Sequence, residues 1–234
     1  HSVQQMFDDV FGGKFYNIIP YDIYVDYLLN SNIVKYGDDG EGLALCAPDK
    51  GARDFVKEMC VRLKLNKAKF LLLDKERTSE REVSITMHPE SESSLEDVRG
   101  HDIVLFDDMV RTGSTVVQTC KLLKEIKPGK TVFALTHFYA SEEGRIKMAH
   151  PAIDEILTLN TIPTVLNRDI QGRLRKKMVV LKIEKWLALN LCRILELPQL
   201  NTNDSFYSID MSSKNLRWKH KIWLSEQLKA LNQR

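Results

Sequence analysis

Short, strongly apolar runs alternate along this chain with longer stretches in which apolar residues recur every three or four positions. The apolar runs predict buried strands at residues 42–48, 69–74, 102–108, 131–137, 155–161 and 178–183. Helical spacing is clearest between the first two runs and between the third and fourth, in Phe55, Val56, Met59, Cys60 and Leu63 and in Val116, Cys120 and Leu123. This alternation predicts an α/β fold with a doubly wound, mainly parallel sheet.

The residues that directly follow the apolar runs are the first place to look for chemistry, because such sheets bind ligands beyond the carboxyl ends of their strands. The clearest case is FDDMVRTGST at residues 106–115. Backbone N–H groups at the start of the following helix, with the Thr and Ser hydroxyls, would surround phosphate oxygens, while Asp107 and Asp108 would face ribose hydroxyls. The segment therefore predicts a sugar-phosphate site, although a Thr-Gly-Ser-Thr turn by itself also suits an ordinary capped helix.

A long polar stretch follows the second apolar run, from Lys75 to Gly100. One piece of it, at residues 83–87, alternates apolar and polar positions, so we expect a mobile loop that contains a hairpin. Lys75 and Arg77 bring two cations directly after a buried strand. Diphosphoryl transfer needs positive charge in such a place, although most charged loops are simply solvated.

Composition argues against several other classes of function. The 34 Lys and Arg residues nearly balance the 32 Asp and Glu residues and are spread along the chain, so nothing indicates a nucleic-acid surface. The four cysteines lie far apart without a CxxC pair, which favours reduced thiols over a disulfide framework or a zinc site. The apolar stretch at 178–197 is interrupted by charges and cannot cross a bilayer. We therefore expect a cytoplasmic protein that binds neither nucleic acid nor membrane.

Several segments together resemble the ribose-phosphate diphosphokinase (phosphoribosyl pyrophosphate synthetase) family. The segment at 106–115 resembles the family's phosphoribosyl pyrophosphate binding loop, and further matches occur in the family's order. The resemblance implies a catalytic domain of the type I phosphoribosyltransferase fold at residues 1–197, without the family's N-terminal ATP-binding half. Residues 198–234 would then be a C-terminal extension. Its expected amphipathic helix carries Leu216, Trp218, Ile222, Leu224, Leu228 and Leu231.

The same resemblance implies roles for individual residues. Lys75 and Arg77 match the cations of the family's catalytic flexible loop, and the metal ligands would be His1 and Asp49. The diphosphate and nucleotide would be bound by Asp49, Lys50, Gly51 and Ala52. The ribose phosphate would be bound by Asp107, Asp108, Arg111, Thr112, Gly113, Ser114 and Thr115. Taken alone, Asp49 could equally be an exposed turn residue that precedes a helix.

Two residues of the 106–115 loop differ from what is usual in the family. Arg111 lies where many members have aspartate or a small polar residue, and Ser114 lies where glycine is usual. An arginine here could bind the phosphate or reach an additional anionic group of a larger substrate, which leaves the acceptor open. His137 also follows a predicted strand, and we expect it to be a hydrogen-bonded structural residue.

The activity that the resemblance implies is transfer of the diphosphoryl group of magnesium ATP to the anomeric hydroxyl of ribose 5-phosphate, giving phosphoribosyl pyrophosphate and AMP. Mg²⁺ is the implied cofactor. A homo-oligomer is expected, because the family's nucleotide site is shared between subunits. Three alternatives stay open: a diphosphokinase acting on a larger derivative such as ADP-ribose, a phosphoribosyltransferase, and a non-catalytic regulatory subunit.

Overall fold

The centre of the molecule is an eight-stranded sheet with the strand order β3-β2-β1-β4-β5-β6-β7-β8. The computed structural model describes residues 6–7, 9–10, 15–77, 83–198 and 205–210. The strands are β1 (Leu43–Ala47), β2 (Lys69–Arg77), β3 (Val83–Met87), β4 (Asp102–Val110), β5 (Thr131–Phe138), β6 (Glu155–Leu159), β7 (Met178–Lys182) and β8 (Ser208–Ile209).

Six helices whose bounds are fully described accompany the sheet. They are α1 (Tyr21–Asn30), α2 (Lys50–Leu63), α3 (Ser114–Glu125), α4 (Glu142–Met148), α5 (Arg168–Gln171) and α6 (Glu184–Ile194). Short 3₁₀ turns occur at Asp38–Gly40, Glu96–Val98, Pro163–Leu166 and Gly172–Lys177. None of these helices has both the length and the apolarity that are needed to span a bilayer.

The six inner strands of the sheet are parallel, and β3 and β8 are antiparallel to their neighbours at the two ends. The chain passes from β1 to β2 on one side and then to β4 on the other side of β1. This reversal opens a crevice between the carboxyl ends of β1 and β4. In parallel sheets such a switch point is where ligands bind.

Two apolar layers cover the faces of the sheet. One contains α1 and α2, with Tyr24, Tyr27 and Met59 fully buried. The other contains α3, with Cys120 and Leu123 fully buried. The fold is therefore wound on both faces, which confirms the predicted doubly wound, mainly parallel α/β architecture.

The strands and helices that the hydrophobic pattern predicts are all present. Each of the six apolar runs corresponds to a strand, although β2, β4 and β5 continue past the ends of their runs. The two periodic stretches form α2 and α3. The predicted hairpin is β3, which pairs antiparallel with β2. All four cysteines are free, as expected. The predicted C-terminal amphipathic helix lies outside the described residues.

Several elements were not predicted from the sequence, among them helix α1 and strand β8. Helix α1 buries Ile23, Tyr24, Tyr27 and Leu28. Strand β8 follows a segment whose turn-forming residues obscure it, and it pairs with the last two residues of β7. Next to β8, Tyr207 is only 2% exposed, and its hydroxyl donates to Oδ2 of Asp26 on α1 at 2.7 Å. A part of the chain beyond Pro198 thus completes one end of the sheet and contacts the first helix.

Candidate active site

Those predicted site residues whose side chains the structure describes converge on the carboxyl edge of the three neighbouring strands β2, β1 and β4. The register aligns Cys46 of β1 with Leu71 of β2 and with Leu105 of β4. Because the strands are parallel, the segments that leave them start side by side. Asp49 lies three residues beyond Cys46, and Asp108 lies three residues beyond Leu105.

Asp49 begins helix α2 as its N-cap. Its Oδ1 accepts hydrogen bonds from the backbone N–H groups of Gly51 at 2.9 Å and Ala52 at 3.2 Å. These bonds fix the turn after β1 and hold the carboxylate at the mouth of the crevice. Lys50 and Gly51 are exposed, whereas Ala52 is buried beneath the turn.

Asp107 is the most strongly perturbed carboxyl group of this edge. Burial, with a smaller contribution from the nearby carboxylates of Asp108 and Asp49, raises its pKa to about 7, although a hydrogen bond from the Asp108 backbone N–H opposes the rise. That N–H donates to Oδ1 of Asp107 at 2.9 Å. Asp49, which follows β1, thus influences Asp107 of β4 across the switch point. Bound cations or sugar hydroxyls would relieve the repulsion between these carboxylates.

The loop after β4 leads directly into helix α3. Gly113 occupies its N-cap position with φ +71°, a left-handed conformation that disfavours residues with a side chain. No side-chain cap is present there, so the N–H groups of the first turn remain available to an anion. Arg111 and Thr112 are exposed beside this helix start, and Ser114 and Thr115 are half-buried in it.

Lys75 joins the second strand to this loop. Its Nζ donates to Oγ1 of Thr115 at 2.7 Å, across 40 positions of sequence. The predicted diphosphoryl cation and the predicted phosphate hydroxyl are therefore direct neighbours. The side chain of Arg77 and the whole of His1 lie outside the described residues.

One residue of this region was missed from the sequence. Nζ of Lys147, on α4, donates to Oγ of Ser114 at 3.1 Å. Helix α4 lies against the loop so closely that a Cβ on Gly144 would come within 2.6 Å of the Arg111 carbonyl oxygen. The position of Lys147 depends on this close approach of two backbones. In the sequence, the approach is marked only by Gly144, which looks like any other glycine.

His137 lies at the same edge of the sheet and shares a hydrogen bond with a neighbouring loop. Its Nδ1 is 2.9 Å from Oγ1 of Thr161, and Oγ1 of Thr161 donates to the carbonyl oxygen of Thr136 at 2.8 Å. These contacts fasten the loop after β6 to the end of β5. They suit the structural role expected for this histidine.

The carboxylates of this edge are side chains of a kind that binds divalent metals. Asp49, Asp107 and Asp108 supply the hard oxygen atoms that Mg²⁺ prefers. Within the ranges that the structure describes, however, no three acidic, histidine or cysteine side chains are grouped closely enough to hold an ion. Mg²⁺ commonly binds through one or two carboxylates plus substrate phosphates, which is the arrangement these residues allow.

Comparison with known proteins agrees with this geometry. Residues 28–165 match the phosphoribosyl transferase domain model. The ribose-phosphate pyrophosphokinase of Pyrococcus furiosus is 33% identical over 162 residues, covering 68% of this chain and 51% of that protein. The enzyme of the same name from Thermococcus kodakarensis is 35% identical over 158 residues, covering 68% of this chain and 50% of that protein. The chain spans about half the length of these curated relatives, and their names confirm the resemblance found in the sequence.

A solved structure shows the same fold. The phosphoribosylpyrophosphate synthetase of Mycobacterium smegmatis superposes with a TM-score of 0.52 at 22% identity, covering 68% of this chain and 46% of that one. At this identity the likeness concerns the architecture of the sheet and helices alone.

Proposed function

The chain belongs to the phosphoribosyl transferase domain family, and we propose that it carries the catalytic domain of a ribose-phosphate diphosphokinase. Its substrates would be magnesium ATP and ribose 5-phosphate. The relatives named above are ribose-phosphate pyrophosphokinases, which supports this choice within the family.

The observation that carries the proposal is the hydrogen bond between Lys75 and Thr115 at 2.7 Å. Thr115 belongs to the first turn of α3, where a sugar phosphate would bind. Lys75 lies near the carboxyl end of β2 and adds a cation to the same spot. An enzyme that joins a diphosphoryl group to a sugar phosphate needs positive charge between the two ligands, because negative charge accumulates there in the transition state.

In the proposed reaction the anomeric oxygen of ribose 5-phosphate attacks the β-phosphorus of ATP. The bond from that phosphorus to the oxygen of the α-phosphate breaks, AMP leaves with the bonding electron pair, and the anomeric hydroxyl loses its proton. The products are phosphoribosyl pyrophosphate and AMP. Catalysis would consist mainly of positioning and charge stabilisation.

Each residue of the site has a place in this scheme. The first turn of α3, with Thr112 to Thr115, would bind the 5-phosphate, and Asp107 and Asp108 would orient the ribose hydroxyls. Lys75 and Arg77 would neutralise the transferring diphosphoryl group, and the turn at 49–52 would accommodate it. With Asp49 and His1 as its protein ligands, Mg²⁺ would supply charge neutralisation to the ATP phosphates.

The test is phosphorus NMR of the purified protein, with any natural N-terminal part included, in the presence of magnesium ATP and either ribose 5-phosphate or ADP-ribose. We expect AMP and a new diphosphate ester from ribose 5-phosphate. Lys75→Ala should lower the rate by about 100-fold or more with the fold retained. Lys67→Ala serves as the control, because Lys67 pairs with the exposed Glu41 at 3.6 Å and lies two residues before the start of β2, at the opposite edge of the sheet.

The other outcomes discriminate among the alternatives. A product formed only from ADP-ribose would move the function to the larger acceptor. Failure to form either product would favour a phosphoribosyltransferase or a regulatory subunit. An active Lys75→Ala variant would contradict the role given to Lys75.

A further inference from the structure

We propose that Lys147 is a second cation of the phosphate subsite, which selects an acceptor that ends in a phosphate monoester; this inference rests on the proposed function. Neither the apolar pattern nor the family resemblance assigns Lys147 a role. Lys147 contacts Ser114 and Glu143, and helix α4, which carries it, is held against the loop that follows β4.

Lys147 reaches the loop through the hydroxyl of Ser114. Its Nζ donates to Oγ of Ser114 at 3.1 Å, and Ser114 is the first residue of α3. A phosphate bound by the uncapped N–H groups of that turn would lie next to the ammonium group. In the family that this sequence resembles, position 114 is usually glycine. A glycine there has no hydroxyl group to accept a hydrogen bond from Lys147.

Helix α4 cannot move away from the loop without breaking direct backbone contacts. The backbone N–H of Ser141 donates to the carbonyl oxygen of Arg111 at 3.0 Å. A Cβ on Gly113 would lie 3.0 Å from Cγ of Met148 and 3.2 Å from the Gly144 carbonyl oxygen. Lys147 lies three residues after Gly144, on the same side of the helix, so its position is fixed relative to the loop.

The ammonium of Lys147 has a second partner that a ligand can displace. Oε1 of Glu143 lies 2.7 Å from Nζ, and the two side chains are 75% and 39% exposed. The hydrogen bond and charge of Lys147 lower the pKa of Glu143, so the glutamate is ionised at neutral pH. An exposed pair of this kind is weak. A phosphate at the loop competes directly with Glu143 for the same ammonium.

A second cation favours a terminal phosphate because of charge. A phosphate monoester carries about −1.5 to −2 at pH 7, whereas each phosphate of a diphosphate diester carries only one negative charge. The attraction to one ammonium scales with that charge. Lys147 should therefore strengthen binding of ribose 5-phosphate more than binding of ADP-ribose.

Isothermal titration calorimetry of the protein without ATP tests the inference. Ribose 5-phosphate and ADP-ribose are titrated into the parent chain and into Lys147→Met, Ser114→Gly and Glu143→Gln. We expect Lys147→Met to weaken ribose 5-phosphate binding by about fivefold, with the loss shrinking in 1 M salt. ADP-ribose should change by less than about twofold. Glu143→Gln should tighten ribose 5-phosphate binding by about twofold, because it releases the ammonium.

The controls separate this inference from the proposed function. Lys67→Met removes an exposed lysine from the opposite edge of the sheet and should bind both ligands like the parent. The double variant Ser114→Gly with Lys147→Met should lose no more than either single variant, because the two residues act through one contact. Unchanged affinity in Lys147→Met, or equal losses for both ligands, would overturn the inference alone. Absence of ribose 5-phosphate binding by the parent would overturn the proposed function and this inference with it.

Discussion

Nζ of Lys75 lies 2.7 Å from Oγ1 of Thr115, and this hydrogen bond joins the far end of β2 to the first turn of α3. The two residues come from opposite sides of the switch point. Lys75 is on β2, Thr115 is on the helix that follows β4, and β1 lies between β2 and β4. One contact therefore spans the crevice in which both substrates are proposed to meet.

Replacing Thr115 by valine removes this contact with almost no change in shape. We expect Thr115→Val to lower diphosphoryl transfer by about tenfold, because Lys75 loses the group that positions it and the phosphate loses a hydroxyl donor. Transfer is measured by release of AMP. Thr119→Val is the matched control on the same helix, because Oγ1 of Thr119 is buried without a partner in the part of the chain that the structure describes. Equal losses in the two variants would contradict a specific role for Thr115.

The raised pKa of Asp107 makes stability depend on pH. Its pKa is about 7 in the folded chain against 3.8 for an ordinary aspartate, so between these values the folded state holds a proton that the unfolded state has lost. The contribution of this group to stability must therefore fall as the pH rises from about 4 to about 7.

Asp107→Asn removes this titration. In metal-free buffer we expect the variant to gain about 1–2 kcal/mol over the parent between pH 4 and pH 7, and to show little further change above pH 7. The expected gain in stability is smaller than the full pKa shift of Asp107 implies, because its carboxyl group is only partly buried and is screened by solvent. Urea unfolding at several pH values measures it. A difference between the two proteins that stays constant with pH would contradict the assignment.

The contact between Gly144 and the loop predicts that even a methyl group is too large there. Gly144→Ala should cost roughly 1–3 kcal/mol of unfolding free energy, because its Cβ would meet the Arg111 carbonyl oxygen at 2.6 Å. It should also weaken ribose 5-phosphate binding by displacing α4. Gly37→Ala is the control, since the nearest atom there is 3.7 Å away and φ is −87°. A Gly144→Ala variant as stable as Gly37→Ala would contradict this packing.

The hydrogen bond from Tyr207 to Asp26 predicts that the segment beyond Pro198 contributes to stability. Tyr207→Phe should lower the free energy of unfolding by about 1–2 kcal/mol, because Oδ2 of the half-buried Asp26 loses its donor at 2.7 Å, whereas Asn30 still donates to Oδ1. The control is Tyr139→Phe, at a tyrosine that is 59% exposed. Thermal unfolding compares the two variants. If Tyr207→Phe melts like its control, the segment does not depend on this bond.

Local sequence is enough to predict the strands and the positions of the predicted site residues. A strand that is buried on both faces of the sheet appears as a continuous apolar run, and the end of that run is easy to locate. Asp49 directly follows such a run and Asp107 lies near the end of another, and the parallel topology brings the ends of the two runs together. The same reasoning brings Lys75 to this edge, although its hydrogen bond to Thr115 depends on side-chain geometry that no run of sequence specifies.

Lys147 could not be predicted in this way. It is separated from Ser114 by 33 positions, and only the docking of α4 brings the two together. Strand β8 was missed for a different reason. It has two residues, Ser208 and Ile209, too few for an alternating pattern to appear, and their pairing partners are 26 and 28 positions upstream.

The antiparallel strands at the two ends of the sheet also bear on aggregation. A parallel array that ends in an unpaired strand offers a row of backbone donors and acceptors to other chains. In the described residues β8 covers only Leu181 and Lys182 of β7. That edge therefore depends on a short segment far from the crevice. Truncations that remove β8 should make the protein self-associate through β7 while the catalytic edge keeps its geometry.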